Sequence, residues 1–298
     1  MPSPATPEIP HRTWRRRVAR CFILYGMVPY LSVIIIFAVL QRRLMYRPTV
    51  ATTLKVEDLQ LDADSVSDVQ LRTTDGATLN GWLLKPPVVA DSNDTPGLCI
   101  YFPGNAENRF HRLTDLKEVA SSGFQVLIFD YRGYGDSSGS PSESAICADA
   151  RQIWNFAHDD LGFADDQIVL FGESLGGAVA LSLWSDPSLE LPEPGALILS
   201  STFASMSRTV ACSYRWFPFQ YLVLDRWPSI DRIPRVDVPV TIYHGTADEI
   251  VPISEARALA NAAGDDATFL EIPNGEHNDI PMSLLRAQLK ELLPLNQN

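Results

Sequence analysis

Ser174 is the residue whose surroundings most clearly predict chemistry. It stands in the pattern Gly-x-Ser-x-Gly between Gly172 and Gly176, where an apolar run meets a run of small residues. The apolar run predicts a buried strand and the small-residue run a helix. This pattern in a strand–turn–helix setting is typical of a nucleophile elbow, whose strained turn lifts the serine hydroxyl above the sheet edge. We predict that Ser174 is a nucleophile; the alternative is a structural turn serine.

His277 is the predicted base for that serine. A serine hydroxyl is a weak nucleophile at neutral pH and needs a base and a third group that orients the base. The chain contains five histidines, and His277 lies in a polar loop, residues 273–279, after the last short strand-like run. The other four are assigned to the N-terminal segment, to predicted helices or to the end of a strand: His11, His111, His158 and His244.

Asp248 is the predicted acid, because it follows the strand-like run 238–244 within a polar loop. Glu249 and Asp279 are the competing carboxylates, and a turn-forming role for Asp248 is the structural alternative. The resulting chain order is serine, acid, histidine, as in α/β-type hydrolytic triads.

A hydrolytic serine also needs two backbone N–H groups directed at the developing oxyanion. Leu175, next to the serine, is one predicted donor. The other is Asn105, with Ala106 second, in the loop after the strand-like run 97–102, where Gly104 would let the backbone approach closely. The alternative is that this loop is only a turn.

These candidates follow strand-like runs that alternate with helical patterns. Many of the runs are continuously apolar, which indicates strands buried on both faces and a mostly parallel sheet with helices on both sides. In such sheets, sites gather at the carboxyl ends of the strands. The predicted runs are a hairpin at 69–86 around Asp75-Gly76, then 97–102, 124–130, 168–171, 195–200, 238–244 and 268–272.

The N-terminal segment predicts a membrane anchor. Residues 22–40 carry no charge and are long enough to span a hydrocarbon core as a helix. A cleaved signal peptide and a buried core helix are the alternatives; the run is long for the first and apolar on all sides for the second. We therefore divide the chain into a basic tail (1–21), an anchor (22–40) and a catalytic domain (44–298) with a cap insertion at about 202–236.

Charge separates the two parts of the chain. The net charge is −12, yet residues 1–50 hold eight arginines and one glutamate, so the remainder is strongly acidic. An acidic domain argues against nucleic acid as a partner. Five arginines precede the anchor and three follow it, which predicts a cytoplasmic N-terminus and a domain on the far side of the membrane. The four cysteines fit neither a metal site nor a disulfide framework, and the glycosylation sequon at 93–95 is a single weak match.

Several sequence blocks together resemble the α/β-hydrolase superfamily, and most closely its membrane-anchored abhydrolase-domain serine hydrolases. The resemblance covers about residues 44–293. Its blocks, in chain order, are LMYRP (44–48), PGNAEN (103–108), DYRGYGDSSGSPSE (130–143), GESLGG (172–177), HGTADEIVP (244–252) and GEHND (275–279). The main departure is Pro103, which stands where the HGNAxN oxyanion loop of the family has histidine.

The resemblance implies an α/β-hydrolase fold with a short helical cap. It also implies an enzyme of the esterase, lipase or thioesterase type that cleaves ester or thioester bonds of lipids, other small acyl substrates or acylated proteins, without metal or organic cofactor. Two alternatives remain, a prolyl-type peptidase and a catalytically silent membrane scaffold. The carboxylate nucleophile of a dehalogenase is excluded, because Ser174 occupies that position.

The cap insertion is rich in aromatic residues. We expect either that they form an apolar wall for an acyl chain or that they pack the cap onto the domain. The cluster comprises Phe203, Tyr214, Trp216, Phe217, Phe219, Tyr221 and Trp227.

Overall fold

The computed structural model describes residues 11–87, 97–186, 188–189 and 191–292; the sequon at 93–95 lies outside these ranges. Within them the chain forms ten strands. They are β1 (Arg47–Pro48), β2 (Val66–Arg72), β3 (Thr78–Leu84), β4 (Leu98–Phe102), β5 (Ala106–Glu107), β6 (Gln125–Phe129), β7 (Ile168–Glu173), β8 (Ala196–Ser200), β9 (Val240–Gly245) and β10 (Thr268–Ile272).

Eight of these strands form one sheet in the order β10-β9-β8-β7-β4-β6-β3-β2. The pairs from β10 to β6 are parallel, and the β2–β3 hairpin joins antiparallel at the β6 edge. The mostly parallel sheet is therefore confirmed. Strands β4, β7, β8 and β9 are buried along their whole length, as their continuous apolar runs predict.

Helices cover both faces of this sheet. Along β4, Leu98 and Ile100 join a core cluster that includes residues of α4, α5 and α8, whereas Cys99 and Tyr101 join a second cluster with residues of α3 and α9. The helices are α1 (His11–Phe22), α2 (Val28–Met45), α3 (Leu113–Ala120), α4 (Glu143–Asp159), α5 (Leu175–Leu181), α6 (Met206–Ser213), α7 (Ser229–Arg232), α8 (Ile253–Ala263) and α9 (Met282–Leu292).

One helix in the described part of the chain, Trp14–Met45, is long and apolar enough to cross a membrane. This helix consists of most of α1 and all of α2, which are continuous through a π-helical turn, Ile23–Met27. None of its most apolar 18-residue window is buried, so the core-helix alternative is wrong. The helix also extends beyond residues 22–40, and its last turn contacts the domain.

The short cap follows β8 and contains α6, the 3-10 turn Phe219–Tyr221 and α7. Ser205 caps α6, because its Oγ accepts a hydrogen bond from the Arg208 N–H. A buried carboxylate then fixes α6 to α8: Glu255 is bound by the Arg208 guanidinium at 3.0 Å. This connection holds the cap over the carboxyl ends of the central strands.

Candidate active site

Ser174 lies in a strained turn between β7 and α5. Its φ of 53° and ψ of −113° place a non-glycine residue in a region that costs free energy and persists only where the surroundings enforce it. Its N–H is held by the Ser200 carbonyl at 2.8 Å. The flanking glycines are required by space, since a Cβ at Gly176 would lie 1.9 Å from the Phe102 carbonyl oxygen.

We expect Gly176→Ala to destabilise the domain by about 3 kcal/mol or more, because the new methyl group would overlap the β4 backbone. The measurement is thermal unfolding of the purified full chain in detergent. Gly104→Ala is the matched control: a Cβ there would meet its nearest neighbours at 3.8 and 3.9 Å, an ordinary contact. Equal melting temperatures for the two variants would contradict the steric account of the elbow.

The structure brings Ser174, His277 and Asp248 together. His277 Nε2 lies 3.0 Å from Ser174 Oγ, and His277 Nδ1 lies 2.7 Å from Asp248 Oδ2. Because the carboxylate can only accept, Nδ1 carries the proton and Nε2 is free to accept the serine proton. The arrangement has the nucleophile–base–orienter geometry of a hydrolytic triad.

Asp248 is held as a carboxylate. Burial opposes its charge, but hydrogen bonds from His244, His277 and the Val251 N–H hold the pKa of Asp248 well below its usual range. Asp248 Oδ1 also accepts from the Ile250 N–H at 2.9 Å. Its contribution to stability is complete above the unfolded pKa of about 3.9 and is lost as the pH falls below that value.

His244 is a neighbour of Asp248 that the sequence pattern did not assign to the site. It is fully buried, and its Nε2 lies 3.2 Å from Asp248 Oδ2 and 2.8 Å from the Val251 carbonyl oxygen. The signal was present, since His244 precedes Asp248 by four residues at the end of β9. His111 and His158 are not among the residues that line the cavity around Ser174. His111 occupies a turn before α3 rather than the predicted helix.

Glu173, directly before the serine, is a second missed residue. Its carboxylate accepts a hydrogen bond from the Tyr101 hydroxyl at 2.7 Å and is paired with Arg112 at 3.2 Å. Burial raises the pKa of Tyr101 well above its usual value, with the neighbouring Glu173 charge acting in the same direction. No sequence motif signals this contact, because Tyr101, Arg112 and Glu173 come from three separate elements.

The predicted oxyanion loop lies beside the serine. Gly104, Asn105 and Ala106 border the same cavity as Ser174, as does Leu175 at the start of α5. The first N–H groups of a helix have no intrahelical acceptor, so the Leu175 N–H is suited to bind an anion. At Pro103 the loop is supported by the Tyr131 hydroxyl, which donates to the Pro103 carbonyl at 2.7 Å.

The segment that leaves the N-terminal helix also supports this loop. The Asn105 side-chain amide donates to the Met45 carbonyl at 2.7 Å, and the Arg47 N–H donates to the Asn105 carbonyl at 2.9 Å. Strand β1 then pairs in parallel with β5, the continuation of the loop. The position of Asn105 is thus fixed from the side of the N-terminal helix as well as from the domain.

A cavity of about 690 Å³ opens above Ser174 and His277; we call it the serine cavity. Its walls come from the domain, the cap and the N-terminal helix. The sequence did not predict the contribution of the helix. The N-terminal helix contributes Phe37, Gln41, Leu44 and Met45, and the cap contributes Phe203, Met206, Val210, Tyr214 and Val223. In the described residues no group of three or more His, Cys, Asp or Glu side chains could hold a metal ion.

The aromatic residues of the cap differ in where they lie relative to the serine cavity. Phe203 and Tyr214 border the serine cavity. Trp227 is buried and donates to the Tyr46 hydroxyl at 3.2 Å. The remaining four lie outside the cavity, so an aromatic acyl wall is wrong for most of the cluster: Trp216, Phe217, Phe219 and Tyr221.

A mostly parallel sheet with a serine elbow after β7, and with an acid and a histidine after two later strands, defines the α/β-hydrolase class of folds. Residues 94–229 match the family model described as serine aminopeptidase, S33. The alpha/beta hydrolase domain-containing protein WAV2 of Arabidopsis thaliana is 31% identical over 233 residues, 72% of this chain and 73% of that protein. The chain therefore belongs to the α/β-hydrolase family, which indicates a hydrolase.

Two further proteins extend this comparison. The lysophosphatidylserine lipase ABHD12 of Mus musculus is 32% identical over 187 residues, which cover 58% of this chain and 46% of that lipase. The solved esterase Pf2001 of Pyrococcus furiosus superposes with a TM-score of 0.63 at 17% identity and covers 84% of this chain and 98% of its own. The esterase supports the fold alone, because its sequence identity is low.

Proposed function

We propose that this protein is a membrane-anchored serine hydrolase that cleaves carboxylic ester or thioester bonds through an acyl-enzyme. The observation that carries the proposal is the hydrogen-bonded chain from Ser174 through His277 to Asp248, with distances of 3.0 and 2.7 Å. The cavity above it has room for an acyl group, and the family is one of hydrolases.

In the proposed mechanism, Ser174 Oγ attacks the acyl carbonyl carbon while its proton passes to His277 Nε2. The N–H groups of Leu175 and Asn105, with Ala106 as the alternative donor, stabilise the negative oxygen of the tetrahedral intermediate. His277 then gives its proton to the departing alcohol or thiol, which leaves the acyl group on Ser174. Water attacks this ester with His277 again as base, and Asp248 stabilises the imidazolium in both steps.

The proposed substrate is a lipid or another small acyl amphiphile rather than an acylated protein. The cap walls of the serine cavity are largely apolar, which suits an acyl chain. A relative carries the name lysophosphatidylserine lipase, which supports a lipid ester. We further propose that residues 22–40 anchor the chain, and that the catalytic domain, residues 44–298, lies on the face opposite the basic N-terminal tail.

A peptidase is the second candidate, because the matched family model is described as a serine aminopeptidase. The test is a parallel assay of p-nitrophenyl esters of increasing chain length, a thioester of matched chain length, and prolyl and aminoacyl p-nitroanilides. We expect ester or thioester cleavage that increases from acetate to octanoate, and negligible anilide cleavage. Preferential hydrolysis of an anilide would replace the esterase proposal with the peptidase.

A further inference from the structure

The cap packs along the N-terminal helix, and successive cap residues contact successive turns of that helix. At one end, the Tyr30 and Phe217 rings stack with centroids 5.2 Å apart; further along, Phe37 and Phe219 stack at 4.0 Å. At the domain end, Gln41 donates to the Leu222 carbonyl at 3.1 Å and accepts from the Leu224 N–H at 2.8 Å. We call residues 214–225, which make these contacts, the cap strip.

The cap strip ends in an ion pair with Arg42, the first charged residue after the uncharged run 22–40 of the helix. Arg42 binds Asp225 through two hydrogen bonds of 2.9 and 3.0 Å. From Arg42 back to Tyr30 is twelve residues, or about 18 Å along a helix. Tyr30 is near the middle of the uncharged run 22–40. The cap strip therefore packs along the helix over a length similar to the thickness of one leaflet, which is half of a hydrocarbon core about 30 Å thick.

The outer side of the cap strip is apolar and exposed. Trp216 is 84% exposed, Tyr221 78% and Leu224 63%. Such a patch on a surface normally marks an interaction site. This patch is continuous with the exposed apolar surface of the N-terminal helix. Whatever surrounds the helix therefore also surrounds the patch.

The backbone of the strip is suited to an apolar medium, where unpaired polar groups are costly. Its turns bond internally, from the Phe217 N–H to the Tyr214 carbonyl and from the Leu222 N–H to the Phe219 carbonyl. The Trp216 carbonyl accepts from the Tyr30 hydroxyl at 3.4 Å. The strip carries one exposed charge, Arg215, which adjoins Trp216 at the deep end of the strip. A charge at that depth is costly and requires contact with water or local thinning of the bilayer.

From these contacts we propose that the cap strip is inserted into the leaflet next to the catalytic domain, with Trp216, Tyr221 and Leu224 in contact with acyl chains. The partner of this surface is the lipid bilayer itself. The proposal rests on the proposed anchoring of residues 22–40. It makes the cap and the helix one continuous membrane-embedded unit.

The insertion also bears on how substrate reaches the serine. Tyr214 of the strip and Phe37 of the helix both border the serine cavity. An amphiphile dissolved in that leaflet thus meets the cavity walls without leaving the membrane. The acyl chain would then remain among apolar groups throughout its transfer.

The test is depth-dependent quenching of a fluorophore in the full chain reconstituted into phospholipid vesicles. An environment-sensitive thiol label is placed at single positions in a background with the exposed cysteines replaced, Cys21→Ser and Cys212→Ser. The test positions are Trp216→Cys and Tyr221→Cys. Ile35→Cys, 61% exposed within residues 22–40, is the membrane reference, and Leu270→Cys on edge strand β10, 43% exposed, is the aqueous control.

We expect lipids brominated along their acyl chains to quench the labels at 216 and 221 to an extent comparable with the label at 35, while the label at 270 is unaffected. Quenching at 35 without quenching at 216 and 221 would overturn the insertion and leave the anchor in place. Quenching of 216 and 221 by headgroup quenchers alone would also overturn it. If the label at 35 is not quenched either, the anchor proposal fails and the insertion fails with it.

Discussion

Replacing Ser174 by alanine is expected to lower the rate of ester hydrolysis by about 10⁶-fold and to abolish covalent labelling by a fluorophosphonate probe. The substitution removes only the hydroxyl group, whose oxygen lies 3.0 Å from Nε2 of the proposed base His277. Labelling of the full chain in detergent, followed by a gel, measures the nucleophile, and turnover of an octanoate ester measures the rate.

Ser213→Ala is the matched control for this experiment, since its hydroxyl donates to the Thr209 carbonyl and is not bonded to a base. We expect this variant to label as the parent chain does. Labelling that survived Ser174→Ala would move the nucleophile to another residue. A folded parent chain that neither labels nor hydrolyses esters would favour the catalytically silent scaffold.

Asp248→Asn is expected to lower kcat by about 10⁴-fold with little effect on KM. The amide would present an N–H to the His277 Nδ1–H or force the histidine to shift its proton to Nε2, where it can no longer accept from Ser174. Steady-state kinetics on a soluble ester provide the measurement. Thermal unfolding distinguishes loss of the base orientation from loss of the fold.

The controls are Glu249→Gln and Asp279→Asn, which change the two competing acids. Both side chains are exposed. Asp279 accepts only from the Glu276 N–H at 3.2 Å in the described hydrogen bonds. We expect each variant to retain kcat within about a factor of a few, as is typical where a surface group is changed away from the reacting atoms. A loss for Glu249→Gln as large as that for Asp248→Asn would assign the acid differently.

The sheet and the meeting of Ser174, Asp248 and His277 could be predicted because each residue follows a strand-like run. Parallel strands bring their carboxyl ends to one edge, so chain order and strand ends together place side chains that are 29 and 103 residues apart. The catalytic roles of these three residues are proposals, which the substitutions of Ser174 and Asp248 test.

The contribution of the N-terminal helix to the site could not be predicted. Its apolar run predicts a membrane span from composition alone. Nothing local signals that Gln41 is buried against the cap or that the Met45 carbonyl accepts a hydrogen bond from Asn105 in the predicted oxyanion loop. Those contacts depend on where the cap folds, which is a matter of tertiary packing. The same holds for Glu173, whose partners come from distant elements.

The hydrogen bonds that join Asn105 to the Met45 carbonyl and to the Arg47 N–H determine what proteolysis at the end of the N-terminal helix would do. Both groups lie just beyond the exposed arginines Arg42 and Arg43, at the boundary between helix and domain. A cut between Arg47 and Pro48 would separate these two partners, and the Arg47–Ala106 part of the β1–β5 pairing, from the chain that carries the predicted oxyanion loop. The inserted cap strip proposed above would still hold the cut domain at the membrane. Proteolysis at this boundary is therefore expected to lower the proposed hydrolase activity rather than to release an active domain.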